Sequence, residues 1–369
     1  MQETGIGIIG CGFISGIYLK NIARFEGVVV RAVADLDKDR AQAMASAFQI
    51  PHCLSTEELL NSNEVDLVLN LTPPGAHHPV AMTALEHGKS VYSEKPLGLT
   101  RDEGREILQQ AEAQGLFVGS APDTFLGGGH QTCRKLVDEG AIGHPVAATV
   151  FMQCHGHEHW HPDPGFYYAP GGGPLFDMGP YYLTALINLL GPVRKVQAFS
   201  GQAFTNRRIT SEEKYGENIN VEVPTHVAGT LEFKQGALVT LVMSFDVWGH
   251  NLPHMELHGT EGSLSMPDPN AFGGPVRLLR GGAPEPQWQD QGLTHGNTEN
   301  SRGLGVLDMA QAMQDGRPHR ASGALAYHVL DVMQSLHEAA DSGKTLRIKS
   351  TCKRPAPLKP WLKDGVLTD

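Results

Sequence analysis

The chain is poor in the residues that would staple it or carry it through a bilayer. Its five cysteines, Cys11, Cys53, Cys133, Cys154 and Cys352, are an odd number, and no C-x-x-C pair occurs. That argues against a disulfide framework and a structural zinc site and fits a reducing compartment, so a cytoplasmic location is expected. No uninterrupted apolar run approaches the roughly 20 residues that span a bilayer. The opening residues, Met1-Gln2-Glu3-Thr4, carry no basic segment, and no signal or transit peptide is expected. Positive charge is also short: 29 Lys and Arg against 40 Asp and Glu leave a formal net charge of −11. Such a chain has no general attraction for nucleic acid or an anionic membrane surface, and neither partner is expected. Charged residues are only 19% and hydrophobic residues 40%, which excludes a disordered chain.

What is plentiful is glycine, at 43, and histidine, at 18, in a length of 369 that suits two domains. In the first third, short apolar strand-like runs (5–9, 28–34, 65–70, 90–92 and 116–119) alternate with helical patterns (14–25, 37–48, 77–87 and 101–114). That alternation predicts a parallel sheet wound on both faces. After about residue 122 the pattern changes. A helix is expected over 124–139, then long alternating segments such as 227–233 and 238–245 and a hairpin over 254–264, the signature of an antiparallel sheet. Helices over 303–314 and 326–341 follow, and a Pro- and Lys-rich surface arm from 351. The predicted domains are 1–122, 123–350 and the arm 351–369.

The first strand ends in Gly10-Cys11-Gly12-Phe13-Ile14-Ser15. The first glycine allows a tight turn, the second lets a pyrophosphate approach the backbone, and the helix N-terminus beyond supplies free N–H groups. Asp35 ends the second strand, where a carboxylate accepts ribose hydroxyls and repels a 2′-phosphate; Leu36 offers no charge to offset it. The pattern points to NAD. Asp35 could also simply cap the following helix.

With this turn come Thr72-Pro-Pro-Gly-Ala-His77, Gly88-Lys89-Ser90-Val91, Glu94-Lys95-Pro96, Gly140-Ala-Ile-Gly143, Gly171-Gly-Gly-Pro-Leu-Phe-Asp177-Met-Gly179 and Gly259-Thr-Glu-Gly262. The ordered set resembles the glucose-fructose oxidoreductase / inositol dehydrogenase (Gfo/Idh/MocA) family. The resemblance implies an α/β chain, a Rossmann domain followed by an α/β domain with a large open, mainly antiparallel sheet. It also implies NAD(P)-dependent redox chemistry on sugars, polyols or related pyranosides.

It further implies a catalytic Lys95 at the nicotinamide end of the cleft, and the proline after it makes a cis bond possible. Asp177 would meet substrate hydroxyls or the catalytic residue, or else act as an N-cap. Asp123 would face the nicotinamide; Gly10, Gly12, Phe13, Ile14, Asp35, Thr72, Pro73, His77, Glu94 and Lys95 complete the expected cofactor set. The family's Asp-x-Gly-x-His is broken here: Tyr181 stands in the histidine's slot. A nearby Lys95 cation is expected to lower the tyrosine's pKa and let it relay the proton. Lys95 itself or a histidine of 155–161 is the alternative base.

His155, His157, His159 and His161 alternate, so on a strand they would share one face. The segment is read as a substrate loop rather than a metal site, with Trp160 as a sugar platform, His159 or His161 as hydroxyl contacts, and Phe166, Tyr167 and Tyr168 continuing it. The substrate set is then Lys95, Asp123, His159, Trp160, His161, Tyr168, Asp177 and Tyr181, and no metal is expected. Three activities remain open: an NAD-dependent dehydrogenase of a carbohydrate or polyol, an NAD-dependent glycosidase that oxidises and re-reduces the ring, and a sensor without turnover. Apolar residues on both faces of the second sheet predict a homodimer or homotetramer.

Overall fold

The computed structural model describes residues 3–282 and 284–367. The first unit runs β1 (Thr4–Ile9), α1 (Ser15–Ile22), β2 (Val28–Ala34), α2 (Lys38–Phe48), β3 (His52–Cys53), α3 (Thr56–Asn61), β4 (Leu67–Asn70), α4 (His77–Glu86), β5 (Ser90–Ser93), α5 (Arg101–Gln114) and β6 (Val118–Ser120). Its six strands are all parallel, in the order β3-β2-β1-β4-β5-β6. β1, β4 and β5 are buried along their whole length, as strands covered by helices on both faces must be. The order reverses between β1 and β4, which places a ligand crevice at their carboxyl ends. The sequence pattern missed β3, only two residues long, and α3, although Ser55 and Glu58 close a capping box there.

The second unit runs α6 (Gly128–Asp138), β7 (Pro145–Gln153), α7 (Gly173–Leu190), β8 (Val193–Gly201), β9 (Asn206–Arg208), β10 (Asn218–Asn220), β11 (His226–Phe233), β12 (Leu238–Ser244), β13 (Met255–Gly259), β14 (Gly262–Met266), β15 (Arg277–Arg280), β16 (Gln289–Asp290), α8 (Leu304–Asp315), α9 (Gly323–Ser342) and β17 (Leu346–Arg347). Nine strands form one sheet, β16-β15-β14-β13-β7-β12-β11-β8-β17, antiparallel except where β12 runs parallel to β7. Its inner face packs on α7, which is buried almost end to end, and on α9. The outer face leaves Phe199 and Leu238 exposed beside Thr230 and Thr240.

The helix expected over 124–139 is interrupted. A 3-10 turn, Thr124–Leu126, precedes α6 because the backbone at Gly127 and Gly129 lies against residues 272–273: a Cβ at Gly129 would fall 1.8 Å from the Gly273 carbonyl oxygen. The chain also returns to the first sheet. Ser120 N–H donates to Ala321 O at 3.2 Å, and α9 then packs on both α5 and β8. The segment after residue 351 is less a free arm than a strap. Pro355 O accepts from Arg134 (2.8 Å), Leu358 N–H donates to Gln131 (2.8 Å), and Leu358 and Leu367 are buried. All five cysteines are free, and no helix among the described residues is long and apolar enough to cross a membrane.

Candidate active site

The glycine turn forms an open cradle. Gly10 has φ +101°, and a Cβ there would meet the Leu71 carbonyl at 2.7 Å, so only glycine fits between β1 and β4. A Cβ at Gly12 would meet nothing within 4 Å, which leaves room above the start of α1. No side chain caps that helix: Ile14 occupies the N-cap, and although Ser15 N–H turns back to Gly12 O at 3.1 Å, the helix start presents its positive end to an anion. Ser15, in place of a third glycine, is buried and donates to Gly12 O at 2.7 Å. Asp35 accepts from Cys11 N–H (2.7 Å) and Asp37 N–H (2.8 Å), while Asp37, not Asp35, caps α2. Phe13 and Leu36 are 89% and 101% exposed beside this loop and acid. These residues fit a dinucleotide. Arg40 lies 3.9 Å from Asp35, a neighbouring charge that the sequence, read for adjacent residues, did not supply.

At the other end of the crevice, Glu94-Lys95-Pro96 follows β5, and the Lys95–Pro96 bond is cis. Glu94 accepts from Tyr18 O–H (2.8 Å) and from Lys95 N–H (2.9 Å). Lys95 Nζ reaches across to α7, where it donates to both Oδ1 and the carbonyl oxygen of Asp177, each at 2.7 Å. Helix α7 begins at Gly173, after the turn at Gly171 and Gly172, so Asp177 lies in its second turn and is not its N-cap. Pro180 inside the helix removes one intrahelical N–H donor. Tyr181 follows Asp177 by one turn on the same face, and Lys95 Nζ lies 5.4 Å from its ring centroid. The other Asp177 oxygen faces His157 Nε2 at 3.2 Å, and His157 Nδ1 accepts from the Trp160 indole N–H at 3.2 Å. Because an indole only donates, that contact leaves the histidine proton on Nε2, toward Asp177.

The charges follow from this packing. Burial alone would raise Asp177, but Lys95 and His157 bring it down to about 2. Burial alone would lower Lys95, but the Asp177 carboxylate holds it above its ordinary value, so it stays an ammonium. Tyr181 corrects an expectation: burial raises its pKa, and the attraction of Lys95 only partly offsets that. At neutral pH it is a phenol, a proton donor in this structure.

Two family models describe the chain: "Oxidoreductase family, NAD-binding Rossmann fold" over residues 4–121 and "GFO/IDH/MocA C-terminal domain" over 130–265. The chain belongs to the GFO/IDH/MocA oxidoreductase family. Its first domain is therefore an NAD-binding Rossmann domain, and its second carries the family's mixed sheet. Among relatives, it is 27% identical over 264 residues to the 1,5-anhydro-D-fructose reductase of Ensifer adhaerens, covering 70% of this chain and 74% of that enzyme. It is 32% identical over 190 residues to trans-1,2-dihydrobenzene-1,2-diol dehydrogenase of Bos taurus, covering 50% of this chain and 55% of that one. A levoglucosan dehydrogenase solved with NADH and L-sorbose superposes with a TM-score of 0.81 at 19% identity, over 95% of this chain and 100% of that one.

In this family member not every expected site residue reaches the cleft. Asp123 is buried and accepts from Gly303 N–H (2.8 Å) and Gly305 N–H (3.0 Å) at the start of α8; burial pushes it up to about 6. His77, also buried, sets its ring nitrogens against Thr72 O (2.8 Å) and Pro96 O (2.7 Å), tying the 72–77 turn to the Lys95 loop. Thr72 is held by Asn70, and Pro73 is exposed. Tyr168 is fully buried against Phe245 under Arg207; its neighbour Tyr167 is the one whose ring meets His157, at 4.4 Å. The four histidines do not share a face, because the chain turns after β7. His155 stacks on Trp248, His157 meets Asp177, His159 is exposed, and His161 packs on Trp160 and Tyr167. Sequence reasoning did not single out His157 within its loop and missed Tyr18, which read as one apolar position of a helix.

Proposed function

We propose that this protein is an NAD-dependent dehydrogenase or reductase acting on a secondary alcohol, or the matching ketone, of a sugar, polyol or sugar derivative. One observation carries the reading. A lysine ammonium, locked by an aspartate, sits over a tyrosine beside the mouth of an NAD cradle. Bound NAD supplies the hydride acceptor or donor. Lys95, held protonated by Asp177, donates a hydrogen bond to the reacting oxygen, and Asp177 fixes the direction of that ammonium. Tyr181 exchanges the hydroxyl proton: as a phenol it is ready to give one to a ketone oxygen, and in oxidation it first loses its own proton to solvent and, as the phenolate, accepts one from the carbinol. Both ring nitrogens of His157 are engaged, which supports Tyr181 over a loop histidine in this role. Trp160, half-exposed beside His157, offers an aromatic face to a sugar ring, and the names of the relatives support a carbohydrate substrate.

Asp35 favours NAD over NADP. The exposed outer face of the second sheet, with Phe199 and Leu238, supports a homodimer or homotetramer; a monomer by light scattering at micromolar concentration would contradict that part. The activity is tested with a panel of polyols, sugars and glycosides and NAD, followed for NADH and for released aglycone. NADH formation with at least one polyol or sugar is expected. Aglycone release without net NADH would replace the reading with the glycosidase. Tight NAD binding without hydride exchange on any carbohydrate would replace it with a sensor.

A further inference from the structure

Beside loop 155–161 lies a cavity of about 430 Å³ that takes no lining residue from the glycine turn and none from Lys95, Asp177 or Tyr181. The loop gives it His155, Glu158 and His159, whereas His157, between them, faces Asp177 at 3.2 Å. The volume falls within the roughly 300–1,000 Å³ of small-molecule sites. Part of the lining is aromatic. The His155 ring lies flat on the Trp248 indole, with centroids 3.3 Å apart and planes 15° apart, and meets Phe204 edge-on at 5.7 Å. Trp248, shortly after β12, is 83% exposed, and Phe204, shortly before β9, is exposed as well. Large rings left open to water around a cavity are a surface that a ligand would cover.

Strand β9 supplies the charge. Its middle residue, Arg207, is buried and its outer residues, Asn206 and Arg208, are exposed, the alternation that a strand imposes. All three line the cavity. Arg207 is neutralised by Glu158 at 3.1 Å and by Asp246. Arg208 is not. Its guanidinium lies 5.8 Å from the Tyr215 ring and has no carboxylate or hydrogen-bond partner among the described residues. His159 is exposed and likewise without a hydrogen bond or ion pair among them. A guanidinium with no counter-ion of its own, beside a cavity of an acidic chain, offers an anion a charge-assisted contact.

We propose that this cavity binds an anionic sugar, a hydroxylated ring or chain bearing a carboxylate or phosphate, with its C–H face on Trp248 and Phe204 and its anionic group on Arg208. Hydroxyls at the edge of such a ligand meet His159 and the Asn206 amide. The planar fork of an arginine matches the oxygens of a carboxylate or phosphate. A free inorganic anion would leave the rings uncovered, and a purely aromatic ligand would leave the polar groups unused. Two sources share this chemistry: the far end of an extended substrate whose reacting carbon lies at Lys95, and a separate metabolite that acts on the cleft through the loop carrying His157. The first source rests on the dehydrogenase reading; binding to the cavity does not.

The test is calorimetric titration of the full chain, saturated with NAD, with D-glucuronate, D-gluconate and D-glucose 6-phosphate, and with D-glucose and sorbitol as neutral controls. At least one anionic probe should bind about tenfold or more tightly than its neutral counterpart. Arg208→Gln should weaken that probe about tenfold and leave the neutral controls unchanged, while Arg208→Lys should keep part of the affinity. Trp248→Ala should also weaken it about tenfold. Both side chains are exposed, so the variants should melt as wild type does. The proposal is overturned if no anionic probe outbinds its control. It is equally overturned if the binding is unmoved by Arg208→Gln and Trp248→Ala but lost in Lys95→Ala, which would put the anion in the catalytic cleft. Turnover then separates the two sources. A probe that is itself oxidised, with a KM that Arg208→Gln raises about tenfold at unchanged kcat, is the far end of a substrate. A probe that binds without being oxidised and without competing with a neutral substrate from the panel is a separate metabolite. If nothing in the panel yields NADH, the dehydrogenase reading falls, and the titration still decides whether the cavity takes an anionic sugar.

Discussion

The loop 155–161 separates two clusters of opposite charge that look alike on paper and behave differently. On the cleft side, Lys95 meets Asp177 and, through it, His157, with the lysine and aspartate side chains 17% and 12% exposed. On the far side, Arg207 meets Glu158 at 3.1 Å and also Asp246, and takes the carbonyl oxygens of His155 (3.1 Å) and Phe245 (2.8 Å); its side chain is 3% exposed. Both terminal nitrogens of the arginine fork are taken by acceptors of this chain, and only Nε, itself buried, has no partner among the described residues. The lysine is a point charge with three donors, and the Asp177 carboxylate and carbonyl take two. The difference teaches how one loop is both fixed and functional: the buried fork anchors its back, and the lysine keeps a donor free at its front.

The sharpest way to break this comparison is Arg207→Leu. It leaves Glu158 and Asp246 buried without their cation, and stability should fall by about 3–5 kcal/mol in chemical denaturation; a near-wild-type midpoint would show the far cluster to be ornamental. Lys95→Ala should do the reverse. Turnover should fall a hundredfold or more, with NAD binding near wild type and a loss of stability smaller than that of Arg207→Leu, because Asp177 keeps its contact with His157; an active variant would remove the lysine from the chemistry. Acid titration distinguishes the clusters next. Asp177 is held down to about 2, so its stabilisation is fully present above the unfolded carboxylate value and is lost as pH falls through about 2. Asp177→Asn should flatten the stability–pH curve between about pH 4 and 2 by roughly 2 kcal/mol, a slope that is unchanged if Lys95 does not hold the carboxylate. The smallest effect is expected far from both, at the adenosine end. Asp35→Ser should narrow the preference for NAD over NADP about tenfold without abolishing binding, because the cradle at Gly10 and Gly12 remains. Equal or tighter NADP binding by the wild type would show that Arg40 outweighs Asp35.

Legibility in the sequence followed how local the cause was. The parallel sheet was readable because fully apolar strands and amphipathic helices alternate at short range. The glycine turn was readable because Gly10 answers a backbone need that no other residue meets. Asp123 and His77 were harder. Each has the chemistry of a site residue, but its hydrogen-bonding capacity goes to backbone groups brought in by the fold: the amides of Gly303 and Gly305 for one, the carbonyls of Thr72 and Pro96 for the other. The upward shift of Tyr181 could not be read because burial is a property of the assembled core.

The two sheets also end in a common way. The outermost strands are β3 and β6 in the first and β16 and β17 in the second; three have two residues and β6 has three. β6 is further closed off, because Gly119 bridges to Ser322 and Ser120 donates to Ala321. Long open strand edges invite another chain to add itself in register, a route to runaway aggregation. Here each margin is too short to template such growth.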